Sequence, residues 1–293
     1  MSSRREVWRN AVAWMTGVGA ALALAGWVLA PMLGRGMLQV RFFDIGQGDA
    51  ILVTTPAGGH IVVDGGPDGS LLHKLGPVLP LWDRTIELVV LTHPHADHLV
   101  GLVELARRYR IKQVLASEDS AATPEYRALE AELARQHIPL LIARGGAVQQ
   151  LEPRLELRVL YPPAGNPASA NPNDASVVLQ LVYADAEVLL TGDLEAAAQN
   201  ALPAAWLASD LLKVAHHGSS DALNLEILGK IKPAVAVISV GENSYGHPSR
   251  RVLRALERIP ALVLTTQEDG DITATTRGYA WRVHSAHSGI LTP

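Results

Sequence analysis

The most chemically informative stretch of the chain is a cluster of imidazole and carboxylate side chains at residues 93–98. It reads HPHADH and brings four potential metal ligands together, namely His93, His95, Asp97 and His98. Imidazole nitrogen and carboxylate oxygen bind zinc and similar divalent ions at about 2.0–2.2 Å. A chance surface loop is a poor explanation for so many ligands in so short a stretch. On a tight loop, ligands at this spacing can face two neighbouring points, so the cluster predicts a site for two metal ions.

The amino-acid composition limits the side chains that could bind a metal or act as a nucleophile. The chain has no cysteine, which excludes disulfides, thiolate metal sites and cysteine nucleophiles, so any metal must be bound by histidine and carboxylate. The formal net charge of −4 gives no overall attraction to a polyanion. Binding of nucleic acid would therefore need a local positive field, such as bound cations. The sequence shows neither a basic arm nor a strip of interleaved aromatic residues.

The elements on either side of the cluster position its ligands. Ile86–Thr92 is a continuous run of leucine and β-branched residues, which is typical of a strand buried on both faces. Leu99–Tyr109 is predicted as a helix. We therefore expect the whole histidine cluster on a loop that leads from a buried strand into a helix.

Short apolar segments before the cluster predict a β-meander. Leu38–Asp44, Ala50–Thr55 and His60–Val63 have strand composition. The sequence GQGD at residues 46–49 is interpreted as the turn between the first two strands.

Strands and helices alternate in the rest of the chain, and a loop at residues 162–172 separates two strand-rich halves. Strands are predicted at Val114–Ala116, Leu140–Ala143, Leu155–Leu160, Ser176–Tyr183, Glu187–Leu190, Leu211–Ala215 and Ala234–Val240, and helices at Pro124–Gln136, Leu223–Lys230 and Ser249–Arg258. Two such halves suggest an α/β fold in which two sheets face each other beneath outer helices, a four-layer αββα sandwich. Periodicity alone is equally compatible with a doubly wound sheet.

The N-terminal segment differs from the rest of the chain. Asn10–Gly34 carries no charged side chain and is long enough to cross a hydrocarbon layer of ~30 Å as a helix. We expect residues 1–37 to be a single transmembrane anchor and residues 38–293 to be the catalytic domain. Three arginines before the segment, against Arg35 and Arg41 just after it, favour a cytoplasmic N-terminus and an extracytoplasmic catalytic domain. A cleaved signal peptide and a buried soluble helix are the alternatives.

HPHADH resembles the HxHxDH signature of the metallo-β-lactamase superfamily, and further motifs of that superfamily follow in order. IVVDGG at residues 61–66 resembles the early strand-end aspartate motif, TGD at 191–193 the bridging-aspartate motif, and KVAHHGS at 213–219 the last histidine motif. FDIGQGDA at 43–50, the HHGS element and YGHP at 245–248 together resemble the C-terminal metallo-hydrolase domain of the ComEC family of DNA-uptake channels. The resemblance covers about Val40 to Ile272 and implies the four-layer sandwich.

The resemblance also implies a role for each matching residue. The implied metal ligands are His93, His95, Asp97, His98, Asp193 and His217. The first two would bind one ion, Asp193 would bridge both ions, and the others would bind the second ion. His216 would face the substrate, although its role and that of His217 could be exchanged. The expected catalytic groups are Asp97, His216, His247 and Lys213.

Five further polar residues are expected to orient ligands or to contact the substrate. They are Asp44, Asp64, Asn173, Asp174 and Glu195. Many superfamily members have a third histidine where this chain has the sequence NDAS at residues 173–176, and the ComEC branch is similar here. Asp174 or water would then complete the coordination of the first ion. Such a site is harder and more open, which favours Mn²⁺ over Zn²⁺. Zn²⁺ and Mn²⁺ both remain candidates.

The resemblance implies a metal-dependent hydrolase that cleaves phosphodiesters, with a DNA strand as the expected substrate and DNA uptake as the context. Two cations would lower the pKa of a bridging water, and the resulting hydroxide would attack phosphorus. One alternative is a surface phosphodiesterase acting on a small phosphoester or a wall polymer. Another is an inactive DNA-binding or assembly subunit. A single predicted span cannot form a channel, so DNA transport would need a separate competence channel protein as partner.

Overall fold

The computed structural model of the chain describes residues 36–80, 82–119, 123–163 and 171–291. From Met37 onward the chain forms one compact unit. The predicted membrane anchor lies outside the described residues, apart from its last two positions. Within the described part, no helix is long and apolar enough to cross a bilayer.

Eighteen strands lie within the described residues. They are β1 (Leu38–Phe42), β2 (Ile51–Thr54), β3 (His60–Val63), β4 (Thr85–Ile86), β5 (Leu88–Leu91), β6 (Arg110–Ile111), β7 (Val114–Ala116), β8 (Leu140–Ile142), β9 (Val148–Glu152), β10 (Leu155–Tyr161), β11 (Val178–Tyr183), β12 (Ala186–Leu190), β13 (Leu211–Lys213), β14 (Val235–Ile238), β15 (Leu262–Thr265), β16 (Ile272–Thr276), β17 (Trp281–Ser285) and β18 (Gly289–Leu291). The α-helices of the same part are α1 (Ser70–Leu75), α2 (Ala96–Arg108), α3 (Pro124–Arg135), α4 (Leu225–Ile231), α5 (Arg250–Leu256) and α6 (Thr266–Asp269).

The strands form two large mixed sheets and one small ribbon. The first sheet has the order β18-β17-β16-β1-β2-β3-β5-β7-β8, and the second has the order β15-β14-β13-β12-β11-β10-β9. β4 and β6 form the ribbon. In the first sheet β3, β5, β7 and β8 are parallel, and in the second β12 to β15 are parallel. Each sheet therefore has a set of parallel strands whose carboxyl ends share one edge.

Alternate residues of the central strands pack into different layers. In β5, Leu88 and Val90 belong to a core that also contains residues of the second sheet. Val89 and Leu91 instead pack with apolar residues of α1, α2 and α3. The second sheet is covered on its outer face by α4 and α5. Burial on both faces explains the unbroken apolar runs in the sequence, and the layers are helix, sheet, sheet and helix, as predicted.

Some element boundaries differ from the sequence prediction. The helix expected from Leu99 begins at Ala96, because the backbone N–H groups of His98 and Leu99 both donate to the carbonyl of His95. The prediction that the whole HPHADH cluster lies on a loop is therefore wrong for its last three residues. Helix α1 and strand β9 were not predicted, since the first spans only six residues and the second is an exposed, glutamine-containing edge strand.

Candidate metal centre

Four chemically important segments follow the carboxyl ends of parallel strands. Asp64 follows β3, His93 follows β5 after one residue, Asp193 follows β12, and the turn Ala215–Gly218 follows β13. The two sheets are joined at this edge, where the backbone N–H of Val177 donates to the carbonyl of Thr92 at 2.9 Å. Side chains from both halves of the chain can therefore meet at one place.

The histidine turn after β13 has an unusual backbone. His216 and His217 have φ angles of 46° and 50°, which lie in the left-handed region, and Gly218 follows with 76°. A non-glycine residue in this region costs roughly 1–2 kcal/mol. Two backbone hydrogen bonds stabilise the turn, from His216 N to the carbonyl of Gly192 and from Ser219 N to that of His216. The turn gives the two adjacent imidazoles different surroundings.

The predicted ligands converge on Asp193. Its Oδ2 lies 3.3 Å from His98 Nε2 and 3.4 Å from His217 Nε2. His93 Nε2 lies 3.9 Å from the same oxygen. On the other side of His217, its Nε2 is 3.3 Å from Asp97 Oδ2. Overlapping groups of ligand atoms result, among them one on His93, His98 and Asp193 and one on Asp97, His98 and His217.

The surroundings of these atoms fit metal ions. The Nε2 atoms of His93, His98 and His217 are buried and have no hydrogen-bond partner among the described residues. A buried polar atom without a partner costs about 1–3 kcal/mol, so three together need an explanation. Imidazole nitrogens gathered around carboxylates are a donor set that binds divalent ions, and a cation would satisfy all three nitrogens.

Hydrogen bonds behind the ligands hold the imidazole rings in place. Asp64 accepts hydrogen bonds from His98 Nδ1 at 2.8 Å and from Thr92, whose backbone N–H and hydroxyl donate at 2.8 Å and 2.7 Å. His217 Nδ1 lies 2.8 Å from the carbonyl of Ser239. Because each Nδ1 has its own acceptor, each Nε2 is directed at the metal centre.

The central carboxylates are held in the ionised form. Burial alone would raise the pKa of Asp193, but the adjacent imidazoles and the Lys213 ammonium hold it well below its usual range. Burial would also raise the pKa of Asp97, yet the close contact with the His217 imidazole and the charge of His98 lower it. Both groups are therefore negatively charged at neutral pH, as cation ligands must be.

Asp49 is a buried member of the centre that was not among the predicted site residues. It is 1% exposed and forms an ion pair with the fully buried Lys213. Its carboxylate oxygens lie 3.8 Å from His98 Nδ1 and 3.7 Å from His217 Nδ1. Asp49 closes the GQGD turn and lies within the FDIGQGDA motif at residues 43–50, but neither feature assigns it a role at a metal site.

Lys213, predicted as a catalytic group, lies behind the ligands. Its Nζ donates to the carbonyl of Gly192 at 2.9 Å and is 3.5 Å from Asp193 Oδ1, in addition to its contact with Asp49. In this position the ammonium neutralises two buried carboxylates.

The remaining predicted contacts surround the opening of the centre. The His216 side chain is 23% exposed, with Nε2 3.4 Å from Asn173 Nδ2 and Nδ1 3.5 Å from Glu195 Oε1. The His247 ring centroid is 5.6 Å from that of His216. Burial is the main cause that lowers the pKa of both histidines, so both are neutral at neutral pH. Neutral imidazoles at the opening can accept a proton from a ligand that enters.

The last three predicted site residues, His95, Asp44 and Asp174, also lie outside the compact ligand groups found among the described residues. The His95 ring is 4.6 Å from that of His93, but its nitrogens do not join either group. Asp44 lies at a turn, where its backbone N–H donates to Asp271. The pKa of Asp174 is raised by burial and by a neighbouring glutamate.

Comparisons with known proteins show the family of the chain. The family model of the metallo-beta-lactamase superfamily matches residues 43–242. The chain is 28% identical over 256 residues to ComE operon protein 3 of Bacillus subtilis (strain 168), covering 80% of this chain and 32% of that protein. It is 27% identical over 259 residues to competence protein ComA of Neisseria gonorrhoeae, covering 86% and 34%. The chain thus spans about a third of the length of these relatives.

Solved structures show the same fold at lower identity. The metallo-beta-lactamase fold protein YhfI from Bacillus subtilis superposes with a TM-score of 0.54 at 11% identity, covering 80% of this chain and 98% of that chain. The metallo hydrolase Igni18 from Ignicoccus hospitalis gives 0.50 at 18% identity, with the same coverage. With its family model matched over more than half of its length, the chain belongs to the metallo-β-lactamase superfamily.

Proposed function

We propose that this metallo-β-lactamase-fold hydrolase is a metal-dependent phosphodiesterase that cleaves a DNA strand. The observation that carries the proposal is the convergence of three buried, unpartnered imidazole nitrogens on the ionised Asp193. The homology to a protein named for competence, and the motifs shared with the ComEC family, support DNA as the substrate.

The chain would hold two divalent ions, Zn²⁺ or Mn²⁺. Asp193 belongs to the ligand group of His93 and His98, and its Oδ2 also lies 3.4 Å from His217 Nε2 of the other group, so it is suited to bridge them. When bound, the ions would neutralise phosphoryl oxygens and lower the pKa of an attacking water. Asp64 and the carbonyl of Ser239 orient the imidazoles for this task.

The residues at the opening would transfer the proton that the reaction requires. His216 and His247 are neutral and close together, and His247 Nδ1 has no hydrogen-bond partner among the described residues. A neutral imidazole in this position can take up the proton that the attacking water loses and pass it on to the leaving oxygen, and such proton transfer typically contributes about 10²–10⁴-fold to the rate. Glu195, 3.5 Å from His216 Nδ1, orients that ring.

The test is a cleavage assay with the full chain, Mn²⁺ or Zn²⁺, labelled single- and double-stranded DNA, and bis-nitrophenyl phosphate as a base-free phosphodiester. We expect cleavage of DNA, its loss in Asp97→Ala and in His98→Ala, and retained metal with about 10²–10⁴-fold slower turnover in His247→Ala. Cleavage of the small ester without DNA would favour a phosphodiesterase for small substrates. A chain that binds metal but cleaves neither substrate would contradict the proposal.

The same proposal includes a location and a partner. The uncharged apolar segment Asn10–Gly34 supports a single-pass membrane anchor with the catalytic domain outside the cytoplasm. A separate competence channel protein would then deliver the DNA strand, because one span cannot form a pore.

A further inference from the structure

An arginine-rich surface begins where the metal centre opens. Helix α5 carries Arg250, Arg251 and Arg254, and Arg258 follows directly after its end. All four side chains are exposed, and among the described residues none has a carboxylate within ion-pair distance. The segment has a single acidic residue, Glu257. On a chain with a net charge of −4, this is a local concentration of unpaired positive charge.

The arginines project away from the protein core. Val252 and Leu256 are the buried residues of α5 and pack in the layer outside the second sheet. Arg250 and Arg254 are four residues apart in α5, which places them on one helix side about 6 Å from each other along the axis, and Arg258 lies just beyond the end of the helix. The charges therefore form a row rather than a scattered set.

This row begins at the histidine turn. The backbone N–H of Ser249 donates to the carbonyl of Gly218 at 2.8 Å. Pro248 packs so closely on Gly218 that a Cβ there would lie 2.8 Å from the proline Cβ. The start of α5 is thus held against the turn that carries His216 and His217.

An exposed aromatic ring lies beside the opening of the centre. Tyr245 is 74% exposed, and its ring centroid is 5.8 Å from that of His247. Asn243 holds this loop: its Oδ1 accepts from the backbone N–H groups of Tyr245 and His247, and its Nδ2 donates to the carbonyls of Gly241 and His247. An aromatic ring on such a braced loop offers a flat face to solvent at a defined position.

We infer that Tyr245 and the arginine row form a binding track for a single-stranded nucleic acid that leads into the metal centre. The arginines would follow the phosphates, and Tyr245 would stack on a base beside the phosphate at the centre. A base can stack on Tyr245 only when it is free of a duplex partner, so the track favours single strands. The inference rests on the proposed phosphodiesterase and names the form of its substrate.

The test measures binding apart from cleavage. Fluorescence anisotropy of a labelled phosphorothioate oligothymidylate, which resists cleavage, is followed with the metal-loaded full chain at several salt concentrations. Arg250→Gln/Arg254→Gln/Arg258→Gln should weaken binding and flatten the slope of log K against log salt by about 2, since each neutralised phosphate of a single strand contributes about 0.7. Tyr245→Ala should weaken binding about 10-fold with an unchanged slope, and Tyr245→Trp should restore it.

A matched control lies at the opposite end of the first sheet. The control residues Arg277, Tyr279 and Arg282 are also exposed. The adjacent Thr276 pairs with Leu38 at the start of β1. The metal centre follows the end of β3, which runs parallel to β1, so the control residues lie at the other end of the sheet. Arg277→Gln/Tyr279→Ala/Arg282→Gln should bind as the unchanged chain does.

The outcomes separate the inference from the proposed function. Loss of binding confined to the α5 and Tyr245 variants supports the track, even if the chain cleaves no DNA. Equal binding by all variants, tighter binding of duplex than of single strand, or an equal effect of Tyr245→Ala on an abasic strand would overturn it. Cleavage of DNA together with any of these results would leave the phosphodiesterase intact and remove the track alone.

Discussion

His216 and His217 are neighbours in the sequence, yet their surroundings give them different chemistry. His217 is buried, with Nδ1 on the carbonyl of Ser239 and Nε2 directed at Asp193 and Asp97. His216 is partly exposed beside Asn173, and its Nε2 is 4.0 Å from Asp193 Oδ2. The left-handed turn separates the two rings, with centroids 6.3 Å apart.

This difference predicts which histidine binds metal. The unchanged chain should hold two ions under saturating Mn²⁺ or Zn²⁺, His217→Ala should hold fewer, and His216→Ala should retain both with slower turnover. Elemental analysis after gel filtration measures the stoichiometry, and Asp193→Ala serves as the reference for a lost bridge. Loss of metal from His216→Ala with full retention in His217→Ala would reverse the assignment.

The buried ion pair of Asp49 and Lys213 predicts an effect on stability. Lys213→Met leaves buried carboxylates without their counter-charge, so the free energy of unfolding should fall by about 3–5 kcal/mol. Asp49→Asn/Lys213→Met should recover part of this loss, because Asp49, one of the two carboxylates, no longer carries a charge. Urea denaturation in the presence of a chelator measures the free energy of unfolding of both variants without a contribution from bound metal.

An exposed ion pair supplies the control. Lys230 Nζ lies 2.7 Å from Glu226 Oε1 on α4, and both side chains are exposed. Lys230→Met should change the free energy of unfolding by less than about 1 kcal/mol. A similar small change in Lys213→Met would show that the buried pair does not stabilise the centre.

At the scale of elements, the close contact between α2 and the turn after β3 positions His98. Gly101 lies so near this turn that a Cβ on it would be 1.9 Å from the carbonyl oxygen of Gly65. Two backbone hydrogen bonds cross the same contact, from Gly65 N to the carbonyl of His98 at 2.7 Å and from Gly101 N to that of Gly66 at 3.1 Å. The first turn of α2, which carries Asp97 and His98, depends on this approach.

We predict that Gly101→Ala forces α2 away from the turn, lowers the free energy of unfolding by at least ~1–3 kcal/mol and weakens metal binding. Gly229 in α4 is the matched control, since no atom lies within 4 Å of a Cβ added there. Gly229→Ala should raise stability by about 0.5–1 kcal/mol through helix propensity. Thermal denaturation and metal titration of both variants test this, and wild-type behaviour of Gly101→Ala would contradict the packing argument.

At the scale of the whole molecule, the charge of the surface is uneven. The net charge is −4, while unpaired arginines are gathered beside the opening of the centre. Repulsion over the rest of the surface and attraction at one place would direct a strand to the opening.

The proposed membrane anchor gives a prediction at the same scale. In intact cells with a permeable outer layer, external protease should remove the catalytic domain, because the arginine bias favours a domain outside the cytoplasm. Protection until the cells are lysed would reverse the orientation. Recovery of a shortened soluble form lacking about the first 25–35 residues would instead favour a cleaved signal peptide.

The sequence by itself determined the ligand types, the order of the motifs and the alternation of strands and helices. These features are local: HPHADH contains its ligands within six residues, and the Ile86–Thr92 run shows burial on both faces. The first residue of α2 could not be predicted from the sequence. It depends on backbone N–H groups that donate to the carbonyl of His95, and hydrophobic periodicity does not show such hydrogen bonds.

Only the tertiary structure decided which distant residues share an environment. Asp49 joins Lys213 because β2 and β13 belong to sheets that meet at one edge, and no pattern near Asp49 encodes that contact. The sequence also gives no sign that the arginine row lies near the metal centre, because the row belongs to a segment that looks like an ordinary basic helix. It becomes a candidate substrate track because Ser249 and Pro248 are held against Gly218 of the histidine turn. Burial and charge depend on neighbours in space, and those are set by chain packing rather than by spacing along the chain.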